Sequence, residues 1–273
     1  MVNLGIEAVQ DFFSQNVIFH YTSLKTCLNH ILPTWKLRLS PIKKMSDPFE
    51  SGLRLFASGG MRKRDEQEYL ALRKRVERVK AILEGKLNFD LKQISFCRNS
   101  ASWTRKDSLG LFRARMWDQY GENFHGVCLA VDKHALVKKN ALRGKPNWIA
   151  GNVSYRDFDW IEHNREHLNY ELFYREPDDD KIVEGYLLRR KKQILFEKHI
   201  DYRDEKEFRI CTFSEKEFEF LEIDGCIRAV IYCNFAGLRQ ATHVQMSALA
   251  ARKNVKVIQV AWSQKNVSAW QLN

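Results

Sequence analysis

The chain has 273 residues, of which 44% are hydrophobic and 12% aromatic. That is enough to bury a sizeable core, and it excludes a disordered polyelectrolyte. A formal net charge of +11 and a pI near 9.3 favour an anionic partner: DNA, RNA, a nucleotide, or an acidic protein such as an antitoxin. No apolar run approaches the ~18 residues that a membrane span needs, and the first fifteen residues do not pass from a basic to an apolar segment. A cytoplasmic protein with no membrane partner is therefore expected. The six cysteines (Cys27, Cys97, Cys128, Cys211, Cys226 and Cys233) show no CxxC spacing and sit mostly in apolar runs. They read as buried free thiols.

Taken in order, Ile6 to Gln15 has helical spacing, and Val17 to Thr22 reads as a strand ending in His20 and Tyr21. Ser23 caps a short helix that Pro33 closes. Trp35 to Ser40 alternates as a second strand, and a loop carrying Asp47 and Glu50 follows. After a loop over 54–64, Asp65 to Glu84 is a long helix with Gly85 as its stop and an apolar stripe through Tyr69, Leu72, Val76, Val79 and Leu83, suited to stacking as a lid. Leu91 to Cys97 is a strand, Leu109 to Tyr120 a short helix, and His125 to Asp132 an apolar central strand. Residues 133–141 read as a helix and Trp148 to Arg156 as a strand. Residues 157–178 look irregular, and Asp178 to His199 is the longest helix, acidic at its start and basic later.

The stretch from Asp201 to Phe213 then changes from dense charge to apolar alternation. As one strand it places Glu205, Glu207 and Arg209 on one face, with Phe208 and Ile210 on the other. Such a triplet is either an ion-pair ladder on a solvated strand or an active site. Phe218 to Ile223 and Cys226 to Cys233 are strands with Asp224–Gly225 as a hairpin signal. Thr242 to Lys253 is a helix, and Val255 to Trp262 the last strand. The order suggests one α+β domain with a helical insertion at about 65–85 and a long helix at about 178–199.

Phosphate-loop, dinucleotide and nucleophile-elbow motifs are absent, as is HExxH. What remains are polar residues at strand ends and in loops: His20, Tyr21, Ser40, Asp47, Glu50, the Trp117/Tyr120 pair one helical turn apart, and Glu205, Glu207 and Arg209. Several such groups converging on one cleft make a site.

The segments FHYTSLKTCLNHIL, LRLSPIKKMSDPFE, ISFC, MWDQYGENFHGVCLAVD and DEKEFRI, in that order over residues 17–213, resemble the bacterial DUF2971 family. Ser46, Cys97, Tyr202 and Asp204 depart from its usual residues. The layout is in turn similar to NAD-dependent ADP-ribosyltransferases, including DarT-like toxins. That resemblance implies a mostly antiparallel sheet with helical insertions, NAD as substrate, and a toxin or antiphage role. It implies His20 on the ribose or pyrophosphate of NAD, and Tyr21, Trp117 or Tyr120 against the nicotinamide. Ser40 and Arg209 fall among the cofactor-holding residues. Glu207 becomes the catalytic carboxylate and Glu205 its partner. Two further readings stay open: a non-catalytic nucleic-acid-binding module, and a metal-dependent nuclease using Asp47, Glu50, Glu205 and Glu207.

Overall fold

Strand β6 (Val127–Asp132) is buried along almost its whole length, as its apolar run VCLAVD requires. Around it a computed structural model shows an eleven-stranded, mostly antiparallel sheet within an α+β fold. The structure describes residues 2–3, 12, 14–44, 56–57, 65–100, 108–142, 147–163, 167–168, 170–233, 240–263 and 266–271. The helix expected over Ile6 to Gln15 and the loop residues Asp47 and Glu50 fall outside them, wholly or nearly so.

The remaining strands are β1 (Val2–Asn3), β2 (Val17–Thr22), β3 (Lys36–Pro41), β4 (Phe56–Ala57), β5 (Leu91–Arg98), β7 (Trp148–Asn152), β8 (Ser154–Arg156), β9 (His167–Leu168), β10 (Glu197–His199), β11 (Glu207–Phe213), β12 (Glu219–Glu222), β13 (Ile227–Cys233), β14 (Lys256–Ser263) and β15 (Asn266–Gln271). The main path runs β1-β15-β14-β13-β6-β2-β5-β11-β7, and β3 joins β12 to β5. Alternation splits the core across the sheet. Ile18, Ile94, Phe96, Leu129, Phe208 and Ile210 pack together, while Val17, Phe19, Cys97, Cys128, Ala130 and Ile231 belong to a second cluster. All six cysteines are buried and free.

The helices are α1 (Leu24–Thr26), α2 (Leu32–Thr34), α3 (Glu66–Gly85), α4 (Ala114–Tyr120), α5 (Lys133–Lys139), α6 (Phe158–His163), α7 (Tyr170–Arg175), α8 (Asp179–Phe196) and α9 (Gln240–Ala251). Ser23 caps α1, its side chain accepting from Thr26 N–H. Pro33 sits inside α2, and it is Trp35, at φ 53°, that turns the chain out of it. The stripe Leu72, Val76, Val79 and Leu83 of α3 packs with Ile182, Val183, Tyr186 and Leu195 of α8 in a third core cluster; Tyr69 is exposed. Asp179 clamps the pair, accepting from Arg75 at 2.7 Å and Arg78 at 2.6 Å.

Several expectations need correction. Gly85 does not stop its helix: its backbone stays helical and the chain continues as a π-turn to Asp90. Leu109 to Tyr120 is broken into a 3-10 turn (Gly110–Phe112) and α4. Residues 157–178 contain α6 and α7, and the longest predicted helix gives way at Glu197 to β10. Asp224–Gly225 is a turn, with Gly225 at φ 71°, but its flanking strands do not pair. Strand β12 goes to β3, and β13 goes to β6 and β14. β14 is also not the last strand, since β15 follows it.

The connection from α4 to β6 is tight. Glu122, Asn123 and Phe124 all have positive φ, a costly conformation for residues with a Cβ. Gly126 closes it. A Cβ there would overlap the Thr22 carbonyl oxygen and sit 2.9 Å from the Gly121 carbonyl group. Gly126→Ala is therefore expected to destabilise the protein by about 2 kcal/mol, read as a fall in urea midpoint.

Candidate active site

The site begins with a gap in the sheet. One edge of β5 pairs with β11 throughout, from Glu207 opposite Cys97 to Phe213 opposite Leu91. The other edge pairs with β2 at Arg98 and Cys97, and with β3 at Gln93 and Lys92. Between these contacts Ile94, Ser95 and Phe96 have no strand partner on that side among the described residues. A pocket of about 830 Å3, including the space at its mouth, occupies this split. Its wall takes Phe19, His20 and Tyr21 in succession from β2, and Gln93 through Cys97 in succession from β5. Consecutive strand residues point to opposite faces, so a pocket that touches all of them borders the strand edges.

His20 reaches across the split. Its Nδ1 lies 3.1 Å from the Ser95 carbonyl oxygen, which can only accept, so Nδ1 carries the proton and Nε2 of the neutral ring is the acceptor. Burial holds His20 below its ordinary value, against the raising effect of that hydrogen bond, and so favours the neutral ring. The hydroxyl of the same Ser95 donates to Glu207. His20 and Glu207, far apart in sequence, are thus tied to one residue in the wall of one pocket.

Glu205 and Glu207 do not share a strand, as the sequence had suggested. Ile200–Glu205 is a 3-10 turn, Lys206 has φ 47°, and β11 starts only at Glu207. The left-handed residue between them, rather than strand alternation, brings the two carboxylates together. Both are almost fully buried, at 3% and 4% exposure. Lys198 Nζ donates to Glu205 at 2.9 Å and stands 3.8 Å from Glu207. Tyr120 donates its hydroxyl to Glu205 at 3.0 Å. Arg209 grips Glu207 in a fork, Nε at 2.5 Å and Nη2 at 2.8 Å, and donates Nη1 to the Leu195 carbonyl. Two buried carboxylates thus face two buried cations. Burial pushes the Glu207 carboxyl up, but Arg209, Lys198 and Ser95 outweigh it and hold the group ionised below its usual range. Tyr155 supports this edge by accepting the Glu207 N–H at 2.8 Å.

Of the residues singled out in the sequence, His20, Tyr21, Ser40, Tyr120, Glu205 and Glu207 line the pocket. The Tyr21 hydroxyl is already spent on the Gly110 carbonyl at 2.6 Å. Trp117 does not reach the pocket wall. It is fully buried, donates Nε1 to Leu111 and packs edge-on against Tyr21 at 5.2 Å. Arg209 is likewise behind the wall as a clamp on Glu207. Cys97 lines the pocket, but burial pushes its thiol up to about 12, so it stays protonated. Among the described residues no group of three or more His, Cys, Asp or Glu is placed to hold a metal ion.

Sequence reasoning missed Ser95, Lys198, Tyr155, Gln93 and Arg38. Ser95 and Gln93 sit in a strand whose apolar pattern hides them. Lys198 reads as the basic end of a helix.

The model of the family described as Protein of unknown function (DUF2971) matches residues 116–210, which supports the resemblance read from the sequence. That span holds Tyr120, Lys198, Glu205 and Glu207, the acidic side of the pocket, and leaves His20 and Ser95 outside it. No curated protein and no solved structure matches the chain. No helix among the described residues is long and apolar enough to cross a membrane.

Proposed function

We propose that the pocket binds NAD and that the protein is an NAD-dependent ADP-ribosyltransferase, a toxin or defence effector acting on an anionic target. The observation that carries this reading is the convergence of His20 and Glu207 on Ser95 at one pocket. Breaking the nicotinamide–ribose bond sends its electron pair to the ring nitrogen and leaves positive charge on the ribose, as in glycoside cleavage. A carboxylate held ionised in a dry wall stabilises that charge, and this is the condition Arg209 imposes on Glu207. The acceptor's oxygen or nitrogen then bonds to the ribose carbon, and its proton passes to Glu205, the second carboxylate. His20 Nε2 accepts a hydrogen bond from a ribose hydroxyl. Tyr120 offers its ring, and Arg38, exposed at the wall, offers a guanidinium to the phosphates.

The test is incubation of the protein with NAD labelled on the adenylate, with DNA, RNA and protein acceptors. Label transfer with stoichiometric release of nicotinamide is expected. Absence of both, at millimolar NAD and with every acceptor, would overturn the assignment. The net charge of +11 favours a nucleic-acid or acidic-protein acceptor, whose labelling should fall as salt rises.

A further inference from the structure

The carboxylates, Ser95, Tyr120 and Lys198 of the pocket are already committed to one another, but the side-chain oxygen of Gln93 is not. It is 2% exposed, it stands in the pocket wall, and its Oε1 has no hydrogen-bond partner among the described residues. An orphaned buried amide oxygen is unfavourable unless something supplies a donor. The fold explains why it is held there. Gln93 is the residue at which the free edge of β5 meets β3, opposite Ser40, and its other neighbour across the sheet is Cys211. Gln93 and Ser95 are two residues apart, so they share a face with ~7 Å between them along the strand. The pocket therefore has one end with the two carboxylates, at Ser95, Glu205 and Glu207, and another at Gln93 and Ser40, with the exposed Arg38 cation on the same strand as Ser40.

We infer that Gln93 is a specificity residue that reads an N–H donor on the ring of the ligand. On the NAD reading, on which this assignment rests, that donor is the nicotinamide carboxamide. The separation along β5 is comparable to the span from the scissile ribose carbon across the pyridine ring to the carboxamide. A primary carboxamide both donates and accepts, so it pairs with a glutamine amide through two bonds side by side. Nicotinic acid carries a carboxylate at that position. It offers Gln93 Oε1 no donor, and sets a carboxylate oxygen against that amide oxygen instead.

The experiment is calorimetric titration of wild type and Gln93→Met, which keeps the length and removes the amide. The probes are NAD, its nicotinic acid analogue, adenosine and purine riboside, and melting curves confirm that the variant is folded. Wild type is expected to prefer NAD over the acid analogue by at least about tenfold, and the variant to lose most of that preference. If Gln93→Met retains it, or wild type does not discriminate, the assignment is overturned. If wild type ignores both dinucleotides yet binds adenosine over purine riboside, which has no base N–H, and the variant does not, Gln93 still reads an N–H donor while the NAD reading fails. Binding of none of the four overturns both.

Discussion

Glu207→Gln is expected to lower kcat for nicotinamide release by ~10²–10³-fold with little change in KM. The variant keeps the shape of the side chain, and its one carbonyl oxygen can still accept from Arg209 Nε and Ser95, while the bond from Arg209 Nη2 is lost; melting curves check that the pocket stays folded. On the proposed NAD reading, what it loses is the negative charge that would face the ribose, an interaction that matters only once the bond has begun to break. That is why the effect falls on kcat. The measurement is steady-state nicotinamide release, with affinity for NAD followed separately by titration. A variant as active as wild type would remove Glu207 from the chemistry and leave the buried quartet as a structural feature. A variant that loses NAD binding and turnover together would make Glu207 a binding group instead.

Arg209→Leu has the largest expected effect on stability. Arg209 is 1% exposed and supplies two of the hydrogen bonds that hold Glu207 ionised. Removing it leaves Glu207 with Ser95 and a more distant Lys198 in a low-dielectric wall. Breaking a buried pair from one side costs ~3–5 kcal/mol, because the remaining charge is uncompensated. The double variant Glu207→Gln/Arg209→Leu removes that charge as well and is expected to recover a substantial part of the loss. Urea unfolding of the two single variants and the double variant closes the cycle. Simple additivity would show that the two residues are not coupled in the folded protein, against the geometry. The quartet also explains why the two carboxylates are tolerated in the interior: each has a cation within hydrogen-bond distance.

Local physical chemistry accounts for much of what the sequence revealed. The apolar run of β6, the alternation of β3, the cap at Ser23 and the stripe of α3 are properties of neighbouring residues, and each appears in the fold at or near its expected place. His20, Tyr120, Glu205 and Glu207 were legible as candidates because polar and charged groups at the ends of apolar segments stand out. The strand continuity of Glu205 with Glu207 was misread because a left-handed residue such as Lys206 carries no glycine to betray it. The hairpin at Asp224–Gly225 was misread because a turn sets chain reversal locally and does not decide which strands then pair.

By itself the sequence determined the α+β class, the buried free thiols, the basic charge and six of the residues that line the pocket: His20, Tyr21, Ser40, Tyr120, Glu205 and Glu207. The pocket itself is a tertiary decision. It exists because β5 changes partners from β2 to β3 along one edge, leaving Ile94, Ser95 and Phe96 to face a gap. Pairing between segments distant in the chain depends on register and on competition for an edge, and no local pattern encodes either. The same decision gave Ser95 its role between His20 and Glu207, placed Lys198 and Arg209 against the carboxylates, and left Gln93 without a partner.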